Sequence, residues 1–233
     1  MQVSKLSRVG MTNEGRNKKA AIVQACLEKL YPDPPIPLHH TNAFTMCIAV
    51  LLSAQTTDKA VNQATPALFA LADNPADMVK LSPEKIQSLI SRIGLSKTKS
   101  RNVWNLSKQL LEKHGGRLPR TMEELQELPG VGRKTASVVM SQVWGEPAFA
   151  VDTHIHRLAE RWGLSNGKSV EQTERDLKTV FPRDKWSKLH LQMIYYGREH
   201  CPARNHDPLA CQLCSQVGKI SLRKAAKKRV SGK

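Results

Sequence analysis

Apolar residues recur along this chain at helical rather than strand spacing. Ile86, Leu89, Ile90 and Ile93 fall on one helix face, as do Ala136, Val139, Met140 and Val143, and again Ile155, Leu158, Ala159 and Trp162. The segment "NAFTMCIAVLLSAQ" is almost wholly apolar, which predicts a helix buried on most sides. Helix starts are marked as well. Ser82-Pro83-Glu84 reads as an N-cap followed by proline at the first helical position, and Thr121 with Glu124, like Ser169 with Gln172, fits a capping box. Strand-like alternation is scarce. The pattern predicts an all-α chain of about ten short helices.

Two stretches interrupt it. "YPDPPIPLHH", residues 31–40, is too rich in proline to be helical throughout, and "WGEPAFAVD", residues 144–152, breaks a helix at Gly145 and Pro147. They divide the chain into a basic extension at 1–16, a helical unit at 38–146, and a second lobe at 17–37 and 147–218. The second lobe joins both chain ends because the helix expected near 17–31 is too short to fold alone. Residues 219–233, "KISLRKAAKKRVSGK", carry seven basic residues and no acidic one, and read as a frayed basic tail. A cleft between two lobes is the expected ligand site.

Charge narrows the partners. The 233 residues hold 36 Lys+Arg against 20 Asp+Glu, a formal net of +16. Such an excess favours nucleic acid or an anionic membrane surface. No apolar run reaches the roughly 18–20 residues of a membrane span, and the polar, basic N-terminus lacks the apolar core of a signal peptide. The expected location is cytoplasmic and nucleoid-associated. Cys26 and Cys47 sit in apolar helical patterns and read as core residues, whereas Cys201, Cys211 and Cys214 cluster as metal ligands do.

The chemistry concentrates in "LPGVGRKTA", residues 128–136. Helical patterns flank it, so the unit is helix, Gly-rich hairpin, helix, near 121–144. Gly130 and Gly132 can take positive φ and leave the backbone bare, with Val131 between them. The turn's amides and those opening the second helix form a nest for phosphate, to which Arg133 or Lys134 adds charge. Arg133 between Gly132 and Lys134 rules out a Walker A loop, as does a helix where a strand would precede. A helix N-terminus disfavours cations, so the neutral, nucleophilic form of the Lys134 amine is within easier reach. Asp152, eighteen residues on in "AVDTHIHR", sits where an N-cap belongs, and the helix N-terminus keeps its carboxylate anionic. An amine with a fixed carboxylate suits attack on a sugar carbon.

Four segments in order and at matching spacing carry a resemblance: "AVLLSAQTTDKAVN", "IGLSKTKSRN", "LPGVGRKTA" and "AVDTHIHR". Across residues 20–215 the chain resembles the endonuclease III family, bifunctional DNA glycosylases and abasic-site lyases of the helix-hairpin-helix superfamily. The resemblance implies a six-helix barrel plus a lobe built from both chain ends. It implies a monomer acting on damaged double-stranded DNA, with an oxidised pyrimidine flipped out of the stack. Lys134 then matches the nucleophile that attacks C1′, and Asp152 the residue that assists deprotonation and steadies the oxocarbenium-like charge. The Schiff base leads to β-elimination 3′ to the lesion. Gln55 matches the residue that fills the vacated space, and Leu95 the apolar wedge between opposite bases. A monofunctional glycosylase for another lesion and a non-catalytic helix-hairpin-helix DNA-binding protein are the alternatives.

One part departs from the family pattern. The family implies a [4Fe-4S] cluster on cysteines spaced C-x6-C-x2-C-x5-C. Here nine residues separate Cys201 from Cys211, Cys211 and Cys214 keep the C-x2-C pair, and the fourth position falls at Ile220, which cannot ligate iron. Three relict thiols without metal, and a protein with little or no iron, are the first expectation. A cluster completed by His200 or His206, or a zinc site, are the others.

Overall fold

The computed structural model describes residues 12–231. Those residues form α-helices, one 3-10 turn at Arg183–Lys185 and no strand. The helices are α1 (Asn13–Leu30), α2 (Ala43–Ser53), α3 (Asp58–Phe69), α4 (Pro75–Met78), α5 (Pro83–Leu89), α6 (Ser96–His114) and α7 (Met122–Glu127). They continue with α8 (Arg133–Trp144), α9 (Thr153–Trp162), α10 (Val170–Val180), α11 (Trp186–Glu199), α12 (Gln212–Val217) and α13 (Ile220–Ser231). The helices outnumber the expected ten because α4, α7 and α12 have only four to six residues, too few for a period to show. Among the described residues no helix is long and apolar enough to cross a membrane.

Two units divide the chain. One is Pro35–Ala150, and the other joins the described residues up to Pro34 to those from Val151 onward. In the first, α2 buries every residue from Phe44 to Leu52 and packs against α3, α6 and α8. Ile86 and Ile90 are fully buried, Ile93 nearly so, and Leu89 packs partly against the same core. Each fully buried leucine or isoleucine contributes about 1.5–3 kcal/mol over an exposed one, so α2 with Leu68, Ile86, Ile90 and Leu106 carries much of this unit's stability. The expected caps are present, with Ser82, Thr121 and Ser169 each accepting from the amide three residues on.

In the second unit α9 buries Ile155, Leu158, Ala159 and Trp162. Its neighbour α11 also packs against α1. At Gly197 a Cβ would stand 3.1 Å from the Cβ of His154, so a larger residue there would push α11 off α9.

Both chain ends depart from expectation. Residues 13–16, assigned to the basic extension, belong to α1, whose N-cap Thr12 accepts from the Gly15 amide. Arg16 turns inward and pairs with Asp176 at 3.6 Å. Residues 1–11 of the extension lie outside the described residues. The segment read as a frayed tail is helical as α13. Leu, Lys, Arg and Ala are all good helix formers, and "LRKAAKKR" contains no breaker. Its root is bonded, since the Lys219 amide donates to the Arg161 carbonyl at 2.8 Å and Arg223 Nη1 to the Ser215 carbonyl at 3.1 Å.

Candidate functional site

In the unit Pro35–Ala150, α7 and α8 form the helix-hairpin-helix. Gly130 has φ +80°, and a Cβ there would lie 2.8 Å from Asn102 Nδ2 and 3.0 Å from Leu51 Cδ1. Both backbone and space therefore demand glycine. Gly132 departs from expectation. Its φ of −87° and ψ of 176° are an extended N-cap that any residue adopts, and nothing stands within 4 Å of a Cβ added there. Val131 departs as well: its side chain is buried in the core and its amide already donates to the Leu128 carbonyl at 3.0 Å. The hairpin's outward chemistry thus falls to the first turn of α8, which has no side-chain cap and carries exposed Arg133 and Lys134. The opening amides of a helix lie outside its own hydrogen-bond ladder and present partial positive charge to an anion.

The two loop residues expected to probe DNA are both left-handed. Gln55 has φ +55° and Leu95 φ +59°, and Asn205 is the other such non-glycine among the described residues. Leucine in this region costs about 1–2 kcal/mol, and such strain persists only where surrounding structure enforces it. Leu95 also holds its side chain 61% exposed at the start of α6. The loops adjoin, since a Cβ on Gly94 would lie 4.0 Å from the Gln55 carbonyl oxygen.

Sequence reasoning missed the residue that enforces this geometry. Lys99, only 5% exposed, donates from Nζ to the Leu52 carbonyl at 2.9 Å, the Ala54 carbonyl at 2.6 Å and Thr56 Oγ1 at 3.0 Å. Burial pushes its ammonium below the ordinary lysine range. One side chain on the first turn of α6 thereby collects two carbonyls at the end of α2, just before Gln55, and the Thr56 hydroxyl just after it. The available signal was a lysine four residues after Leu95, on the face α6 shares with Val103 and Leu106. Lys99→Met should lower the unfolding free energy by about 2–3 kcal/mol, because buried carbonyls lose a charged donor. Urea denaturation measures that loss, and hydrogen exchange at residues 53–57 should quicken with it. Unaltered exchange there would mean that Lys99 does not hold the loop.

In the other unit, Asp152 is the N-cap of α9 and accepts from the Ile155 amide at 2.8 Å. Beside it, burial first, and then the charges of Arg157 and Arg198, push His154 below the ordinary histidine range, against the pull of Asp152. Arg157 Nη2 donates to the carbonyls of Gly197 at 2.9 Å and Cys201 at 3.2 Å, which ties α9 to the chain leaving α11.

That chain brings Cys201, Cys211 and Cys214 together and adds His206, with all four ligand atoms within 4.8 Å of one another. The group could hold a metal ion. His200 turns elsewhere, 5.1 Å from the Tyr196 ring and 3.9 Å from Glu199. Ile220 opens α13 and is 64% exposed. The residues therefore do not fit the four-thiolate cluster that the resemblance implies. Hydrogen bonds from Cys201 and Cys214 hold the Cys211 thiol well below the ordinary range, and hydrogen bonds to Cys201 and Cys211 push Cys214 well above it. Cys47, by contrast, is pushed up to about 12 by burial alone and is inert core.

Comparison with known proteins places this geometry. The HhH-GPD superfamily of base excision DNA repair proteins matches residues 48–183. Endonuclease III of Bacillus subtilis is 42% identical over 197 residues, 83% of this chain and 90% of that protein. A non-covalent endonuclease III–DNA complex superposes with TM-score 0.82 at 39% identity, covering 91% of this chain and 98% of the other. A trapped covalent endonuclease III–DNA intermediate does so with TM-score 0.81 at 40% identity and the same coverage. The chain belongs to the HhH-GPD superfamily of base excision DNA repair proteins and, within it, to the endonuclease III family.

Proposed function

We propose that this enzyme removes oxidised pyrimidines from duplex DNA and then cuts the strand as an abasic-site lyase. The observation that carries the reading is Lys134, an exposed amine on the uncapped first turn of α8, directly after the Gly-rich hairpin. The likeness of the whole chain to an endonuclease III trapped as a covalent intermediate on DNA supports covalent chemistry.

The opening amides of α8 and Arg133 hold a phosphate, while Gln55 occupies the space of the flipped nucleotide and Leu95 wedges the opposite strand. The Lys134 Nζ lone pair attacks C1′ and the glycosidic electrons leave with the base. Asp152 takes the proton released from Nζ and balances the charge that grows on the sugar. Ring opening at O4′ gives an iminium between Nζ and C1′. Loss of a C2′ proton then expels the 3′ phosphate by β-elimination, and water releases the enzyme. These steps run on side chains alone and take nothing from the cysteine cluster. The substrate is chromosomal DNA, so the enzyme acts at the nucleoid.

The test is a panel of duplexes carrying thymine glycol, an abasic site or an adenine mismatch. The first two should be cut 3′ to the lesion and trapped by borohydride, with the mismatch untouched. Base release without strand cutting would identify a monofunctional glycosylase, and binding without turnover would overturn the enzymatic reading.

A further inference from the structure

The geometry points to a closed, mononuclear zinc site formed by Cys201, His206, Cys211 and Cys214. Three sulfurs and one imidazole nitrogen are the Cys3His set of structural zinc. Tetrahedral bonds of about 2.3 Å to sulfur separate two thiolates by about 3.8 Å. The Sγ atoms of Cys201 and Cys214 lie 3.7 Å apart, and Cys201 Sγ lies 3.3 Å from His206 Nε2. A polynuclear iron–sulfur core stands between its ligands and holds the thiolates farther apart than one ion does. Both separations are those of donors gathered around one ion.

The backbone explains how the set assembles. Cys201 follows the end of α11, Cys211 is the N-cap of α12, and Cys214 is its third residue. Between them the chain turns at Asn205, left-handed at φ +54°, and returns His206 to the sulfurs. The extra residues between Cys201 and Cys211 thus carry the fourth donor in place of Ile220. All three cysteines are buried and His206 is half-buried, so four donors fill the tetrahedron and no position is left for substrate. The site is structural for that reason. Zinc with three thiolates leaves one net negative charge. Arg161 Nη1 stands 3.1 Å from Cys201 Sγ, and the Tyr196 hydroxyl 3.3 Å from Cys211 Sγ, as outer partners that temper a thiolate site. Arg161 also donates to the Pro202 carbonyl at 2.8 Å, so the ion's loop is moored to α9.

The test uses the full, untagged chain, produced with both zinc and iron in the medium. Elemental analysis should find one zinc per chain, essentially no iron and no acid-labile sulfide, in a colourless protein. Exchange with cobalt should give the visible bands of a tetrahedral thiolate site. Competition with a chromogenic chelator should show zinc held at least ~100-fold more weakly by His206→Ala and by Cys214→Ser, at or beyond the upper end seen for loss of an outer partner. Circular dichroism checks that the variants fold, and the wild-type titration decides the matter if they do not. Four irons with sulfide per chain would overturn the assignment. So would a reduced, anaerobic wild type that refuses zinc, or zinc affinity unaltered in both variants.

Discussion

Lys134→Gln should bind an abasic duplex within a few-fold of wild type and yet form no adduct on borohydride reduction. The two halves of this expectation have separate physical sources. Affinity rests on the amides that open α8, on the bare turn at Gly132 and on a net charge of +16, of which the substitution removes one. Glutamine is nearly as good a helix former as lysine, and the exposed side chain supports no packing, so the hairpin keeps its form. Chemistry fails because an amide nitrogen has no basic lone pair to offer C1′. Base excision should fall by at least ~1000-fold, which corresponds to about 4 kcal/mol of barrier. Single-turnover excision and trapping, measured beside a binding titration, separate the two. An adduct forming at the wild-type rate would show that another amine is the nucleophile.

Asp152→Asn should leave fold and binding intact while slowing base release by about 10²–10⁴-fold, the usual span for losing a positioned acid or base. Asparagine ranks with aspartate as an N-cap, so the bond from the Ile155 amide survives. The loss of charge at the N-terminus of α9 costs about 0.3–1 kcal/mol, a small change in melting temperature. The neutral amide neither takes the proton from Nζ nor balances positive charge on the sugar. Cutting of a preformed abasic site should suffer less, because the ring-opened aldehyde condenses with an amine without departure of a base. Excision within tenfold of wild type would remove Asp152 from the reaction and leave it a cap.

Much of the helical frame was legible because burial writes itself in period 3.6. Ile155, Leu158, Ala159 and Trp162 are spaced as a face and are buried as one. Caps were legible where a hydroxyl side chain does the capping, as at Ser82 and Thr121, but the box formed by Asn42 and Thr45 at the head of α2 escaped notice inside an apolar run. The site divides along the same line. Residues whose role lies in backbone chemistry, such as Gly130, announce themselves in a short motif. Lys99 does not, because a lysine on a helix reads as solvated until the carbonyls it meets, some 45 residues away in the chain, are known. His206 was one of two histidines near the cysteines, and only the path of the loop through Asn205 distinguishes it from His200. The terminal helix α13 is hidden in the sequence because a run of charge resembles a frayed tail, although its residues favour a helix individually.

The two hairpin glycines answer to different masters. At Gly130 a side chain of any kind strikes Asn102 and Leu51, so the interior of the molecule forbids variation. At Gly132 there is open space and ordinary backbone, and the position is an N-cap, where serine or asparagine would serve folding as well or slightly better. Folding alone would let a lineage drift away from glycine there. The bare Gly132 leaves open space beside the opening amides of α8, room in which the backbone of another polymer could come close.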